Sequence, residues 1–84
     1  MSKIRFIKDN IYSFLLSFDD KTVAKILGDL ELLEELGCLL RPPKSKKTAK
    51  NLYELRVLGN ISIRIFYTFY KNEIFILDAF IKKS

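Results

Sequence analysis

Histidine and tryptophan are absent from this 84-residue chain, and cysteine and methionine occur once each. Without histidine the chain has no imidazole base near neutral pH, no Ser/His/Asp or Cys/His nucleophile pair and none of the usual zinc sets. Cys38, standing alone, excludes an intramolecular disulfide. Between Gly37 and Leu39 it reads as a small buried or half-buried residue rather than a nucleophile. Neither a metal nor a cofactor is expected. No uninterrupted apolar run approaches the ~20 residues that a membrane span requires. The opening MSKIRFIKDN is too charged for a signal peptide, so a cytoplasmic protein without a membrane partner is expected. Repeats, low-complexity tracts and linkers are also missing, which leaves a single domain over residues 1–84. A chain of this length is near the lower limit for a self-sufficient core, so a bound partner is expected to add stability.

What is present is unevenly distributed. Residues 1–37 hold five Lys/Arg against seven Asp/Glu, whereas residues 38–84 hold ten against three, for an overall charge of +5. Arg41 to Lys50, RPPKSKKTAK, carries five positive charges and no negative one, and Pro42 and Pro43 keep it out of a helix. A solvated loop and a loop that contacts a polyanion both fit this composition.

Hydrophobic periodicity orders the elements. Lys3 to Ile7 alternates and reads as a short first strand. A short helix is expected over Asn10 to Phe18, with Asp9 or Asn10 as its cap. A longer one, capped by Asp19 or Asp20, places Val23, Ile26, Leu27, Leu30, Leu33 and Leu36 on one stripe and stops at Gly37. Asp29, Glu31, Glu34 and Glu35 are then its solvated face. Three β-rich runs follow: LYELRV (Leu52 to Val57), ISIRIFYTFY (Ile61 to Tyr70) and IFILDAFIKK (Ile74 to Lys83). Each contains a charged residue that a purely structural strand does not need: Arg56, Arg64 or Asp78.

Register determines what those charges face. Turning the chain through a three-residue loop at Gly59 to Ile61 brings both apolar sets to one core and sets Arg56 opposite Arg64. The same reasoning at Tyr70 to Asn72 directs Phe75, Leu77, Ala79 and Ile81 to the core and sets Asp78 across from Arg64. Glu54, Arg56, Ser62, Arg64, Phe66, Asp78, Phe80 and Lys82 then share the face away from the helices. Two readings of that face remain: a cross-strand charge network that solubilises an open sheet, or a surface for RNA with rings for stacking and guanidinium groups for phosphate.

The succession of LxxLxxLG, a basic proline-containing segment, LYELRV, IRIFY and ILDAFIKK resembles the RelE/ParE toxin superfamily, and within it the HigB-like, phage-associated branch. The resemblance covers residues 20–83. GDLELLEELG and LLRPP, from Gly28 to Pro43, resemble the long helix and its exit, LYELR the second strand and IRIFY the third. It implies an α+β fold with an N-terminal strand and two helices packed on a mostly antiparallel sheet of three to four strands. It also implies a toxin paired with an antitoxin of helix-turn-helix type, acting on mRNA at the ribosome by cleavage, without a cofactor.

By the same resemblance Arg64 would stabilise the phosphate, and Arg56 of the ELR motif would support it or orient Glu54. Lys82 and Lys83 match the Lys pair after Phe80. Lys47 and Lys50 fall where the family places RNA-contacting basic residues, and Lys44, Lys46, Phe66 and Phe80 complete the expected RNA surface. Asp78 stands where relatives in this branch often carry His, and is the candidate general base. Two other readings share the fold: a ParE-like inhibitor of DNA gyrase, and an inactive relative that binds only an antitoxin.

Overall fold

Residues 3–83 are described by the computed structural model; Met1, Ser2 and Ser84, at the ends of the expected domain, lie outside them. The elements run β1 (Lys3–Phe6), α1 (Asp9–Leu15), α2 (Asp20–Leu36), a 3-10 turn (Gly37–Leu39), β2 (Ser45–Ala49), β3 (Leu52–Val57), β4 (Ile63–Tyr70) and β5 (Glu73–Ile81). The sheet has five strands in the order β1-β5-β4-β3-β2, rather than three to four. Only the β1–β5 pairing is parallel; the other three are antiparallel. The additional strand is β2, formed by the Lys-rich segment that composition had placed in a loop. Lysine on an exposed edge is a common way to discourage further strand pairing, so the charge is compatible with a strand there.

Asp19 is the N-cap of α2, its carboxylate accepting from the Thr22 backbone N–H at 3.4 Å and the Thr22 hydroxyl at 2.6 Å. These bonds hold the Asp19 carboxyl below its usual range, the hydroxyl contact contributing most. Gly37 ends the helix at φ 51°, a conformation that favours glycine, and its N–H reaches the Leu33 carbonyl. The apolar stripe is narrower than the periodicity predicts. Ile26, Leu30 and Leu33 are buried, whereas Leu27 and Leu36 lie at its exposed margins. α1 likewise ends at Leu15, short of Phe18, and no side chain caps it.

Both helices cover one face of the sheet. Ile11 and Leu15 from α1 and Ile26, Leu30 and Leu33 from α2 meet Leu55, Val57, Ile63, Ile65, Tyr67, Ile74 and Ile76. Asp29 belongs to this buried side, not to the solvated face: the Lys44 ammonium reaches its carboxylate at 3.1 Å across the margin of the core. Ser45 is buried next to Lys44 and hydrogen-bonds the Tyr67 hydroxyl. Burial pushes the Tyr67 phenol above its usual range, and the Ser45 contact partly offsets that shift. Cys38 is exposed rather than buried, carried outward by the turn at the helix exit.

Candidate anion and nucleobase site on the open sheet face

The β3–β4 register is the one the apolar pattern predicts, with Arg56 opposite Arg64 and Leu55 opposite Ile65. The β4–β5 register differs. Tyr70 pairs with Glu73 across a two-residue turn, where Lys71 and Asn72 both adopt positive φ (48° and 64°). Ile74 and Ile76 therefore enter the core, in place of Phe75 and Leu77. Between the pairs Tyr67–Ile76 and Phe66–Asp78 the register shifts, and Leu77 is the extra residue of a bulge. Beyond it Ala79 pairs with Ile65 and Ile81 with Ile63; Ala79 packs against the core as expected, whereas Ile81, near the end of β5, is exposed. The bulge also moves Asp78 to a position opposite Phe66, and it is Phe80 that lies opposite Arg64.

On the open face these registers produce two adjacent rows. One runs Arg56, Arg64, Phe80 across β3, β4 and β5; the next runs Lys46, Glu54, Phe66, Asp78 from β2 to β5. A single oxygen of Glu54 holds the basic part together: its Oε1 is 3.3 Å from Arg56 Nε and 3.4 Å from Arg64 Nε. The Arg64 side chain is 14% exposed and that of Glu54 16%. Among the described residues, Arg64 Nη1 is a buried side-chain donor with no hydrogen-bond partner. Such donors are rare away from functional sites, because an unpaired buried polar group is costly. On the same face Phe80 lies opposite Arg64 and Phe66 opposite Glu54, their ring centroids 5.5 Å apart at 35°.

The site thus offers a charge-assisted donor for an anion next to two rings able to stack on a base. Of the sequence candidates it brings together Arg56, Arg64, Phe66, Phe80, Asp78 and Lys46. Lys82 adjoins them, because its N–H bonds to the Ser62 carbonyl at 2.8 Å, just before Arg64. Other candidates lie elsewhere. Lys44 is engaged with Asp29, Lys47 occupies the alternate register position on β2, Lys50 lies in the β2–β3 turn and Lys83 follows the end of β5. Asp78 makes no ion pair with any described residue, and its Oδ1 accepts from the Ala79 backbone N–H at 2.9 Å. The residue that sequence reasoning undervalued is Glu54. Its spacing from Arg56, two positions along one strand, already placed both on one face.

Residues 13–84 match the family described as phage-derived protein Gp49-like (DUF891). The chain belongs to this family. The Gp49-like family is RelE-like, so the superfamily expected from the motifs holds. Among solved structures the chain is similar to a YoeB-YefM complex from Staphylococcus aureus. The TM-score is 0.68 at 23% identity, covering 100% of this chain and 98% of that one. It is also similar to the solution structure of the conserved hypothetical protein HP0894 from Helicobacter pylori, with a TM-score of 0.57 at 19% identity and coverage of 96% and 94%. At these identities the likeness is one of fold. No curated protein matches the chain. Among the described residues no helix is long and apolar enough to cross a membrane.

Proposed function

We propose that this Gp49-like chain is the toxin of a type II toxin–antitoxin pair of the HigB-like kind, and that it cleaves ribosome-bound mRNA without a metal ion. The observation that carries this reading is Arg64: a largely buried guanidinium, tied to Glu54 through Nε, with Nη1 unpartnered, on the face that also carries the Phe66 and Phe80 rings. A phosphate of single-stranded RNA supplies the missing acceptor, and the flanking bases supply faces for the rings.

The chemistry required of such a site is transesterification. The ribose 2′-hydroxyl gives up its proton to water as its oxygen bonds to the adjacent phosphorus, the bond from phosphorus to the 5′-oxygen breaks, and that oxygen takes a proton from water, so that a cyclic phosphate and a 5′-hydroxyl end result. The protein must align the three atoms and stabilise the charge that grows on the non-bridging oxygens. Arg64 and Arg56 provide that stabilisation, with Glu54 holding both guanidinium groups in place. Lys46 and Lys82 extend the positive surface on either side, and Lys47, Lys50 and Lys83, outside the site itself, serve as further contacts for ribosomal or messenger RNA. Lys44 is withdrawn from this role by Asp29.

The partner follows from the same fold. The similar Staphylococcus aureus structure is a YoeB-YefM complex, and an antitoxin, here of helix-turn-helix type, fits a chain with an unneutralised basic face. Sequencing of RNA 5′ ends after induction tests the reading. New ends within translated codons, insensitive to EDTA when ribosome integrity is controlled, are expected. Growth arrest without new ends contradicts it, and loss of supercoiling activity in a gyrase assay would then indicate the ParE-like alternative. Co-expression of the adjacent reading frame is expected to restore growth and to yield a complex that co-purifies.

A further inference from the structure

The bulge at Leu77 leaves Asp78 without the cationic partner that the simple register gives it, and places it among rings. It lies opposite Phe66 and two residues along β5 from Phe80, while Arg64, one row away, takes Phe80 as its cross-strand neighbour. The side chain is exposed and unpaired with any described cation, and the bond from the Ala79 N–H to Oδ1 fixes its orientation. A carboxylate so held has free acceptor capacity but no donor. From these placements we infer that Asp78 reads the base of the nucleotide stacked on Phe66 and Phe80, and that it selects guanine.

The choice among bases follows from donor patterns. Guanine presents N1–H and N2–H side by side on its Watson–Crick edge, matching the two oxygens of a carboxylate. Adenine and cytosine each place a ring-nitrogen acceptor beside their amino group, and uracil flanks its one N–H with two carbonyl oxygens. A carboxylate repels all three acceptor arrangements. Asp78 is then a specificity-determining residue instead of the proton acceptor that the family resemblance implies. This inference rests on the RNA reading of the site, whose phosphate end is Arg64 and Arg56.

Two measurements separate the inference from that reading. In 5′-end maps, guanine is expected to be enriched about tenfold at one fixed position next to the cleaved bond, within the lower half of the range for a good bidentate base contact. Asp78→Asn, on an exposed side chain, is expected to erase the enrichment and redistribute the sites. New ends without guanine bias, or a bias that survives D78N, overturn the role of Asp78 and leave the endonuclease standing.

Independently of cleavage, the purified chain can be titrated with the four nucleoside 3′-monophosphates while the Phe66 and Phe80 ring resonances are followed by NMR. Guanosine 3′-monophosphate is expected to bind about tenfold more tightly than the others, and D78N to level them. Equal affinities, or no response of the two rings, overturn the inference. Guanosine selectivity without any new transcript ends supports the base contact and removes the endonuclease.

Discussion

On the helix side of β3 and β4, Leu55, Val57, Ile63 and Ile65 are no more than 1% exposed. On the open side of the same strands Glu54, Arg56 and Arg64 keep 16%, 30% and 14% of their side-chain surface. These three side chains are therefore largely withdrawn from water, yet they are charged. Half-buried ion pairs contribute little net stability, and apolar residues of similar size often do as well. An arrangement that also leaves Arg64 Nη1 unpartnered is a poor way to stabilise a sheet. The comparison teaches that the two faces answer to different requirements, one to packing and the other to binding.

The largest expected effect lies on the packed face. Ile65→Ala removes a fully buried side chain between the helices and the sheet and is expected to cost about 2–5 kcal/mol in urea unfolding. Against a total of about 4–13 kcal/mol for a domain of this size, that is a large fraction of the stability. A loss comparable to that of an open-face substitution would break the distinction between the faces.

The lysines of the basic segment sharpen it, because they divide between the two roles. Lys44→Gln strands the part-buried Asp29 carboxylate and is expected to cost about 2 kcal/mol of stability with little change in RNA affinity. Replacing Lys46, Lys47 and Lys50 together by Gln is expected to leave the unfolding midpoint nearly unchanged. The slope of ribosome binding against salt should instead fall by about 2, from the loss of up to three phosphate contacts. An unchanged slope returns these residues to solvated charge on an edge strand.

Tyr67→Phe has a smaller effect, about 1 kcal/mol, by orphaning the buried Ser45 hydroxyl. The same tyrosine gives an alkaline signature. Its pKa is raised in the folded chain, so its contribution is complete below the unfolded value of about 10 and is lost as pH rises through the folded value. Ultraviolet difference absorbance is expected to show one tyrosine titrating late, and Y67F to remove it. The smallest effect is at Asp19, whose folded pKa is depressed. Its stabilisation is present above the unfolded value of about 3.9 and disappears as pH falls through the folded value. Thermal unfolding of Asp19→Ala is expected to show a shallower loss of stability over that acid window.

Much of this architecture is legible in the sequence where one element settles its own geometry. Ile26, Leu30 and Leu33 mark the buried stripe of α2 and Asp19 its cap, while the apolar sets of β3 and β4 permit one register that buries both. Legibility stops where the pattern is degenerate. In β5, Phe75 and Leu77 are as apolar as Ile74 and Ile76, so alternation cannot say which pair enters the core. The positive-φ turn at Lys71 and Asn72 and the bulge at Leu77 decide it, and with it the neighbours of Asp78. The burial of Asp29 escapes notice because Lys44, which compensates it, is fifteen residues away and reaches it only after the chain has turned. The candidate site was half visible: Arg56, Arg64, Phe66 and Phe80 could be placed on one face, but the unpartnered Nη1 and the shared oxygen of Glu54 are properties of the folded sheet.

The central claim is that Arg64 is kept for an anion rather than for the fold, and a paired measurement on Arg64→Ala tests it most directly. Urea unfolding and RNA 5′-end mapping are made on the same variant and on the unaltered chain. Stability is expected to change by no more than about 1 kcal/mol, because Glu54 retains Arg56 and an unsatisfied donor is removed. Cleavage is expected to fall by about 10²–10³-fold, the loss typical when a donor to a developing anion is deleted. A variant that unfolds in proportion to its lost activity, or one that still cleaves at the original rate, would contradict the account.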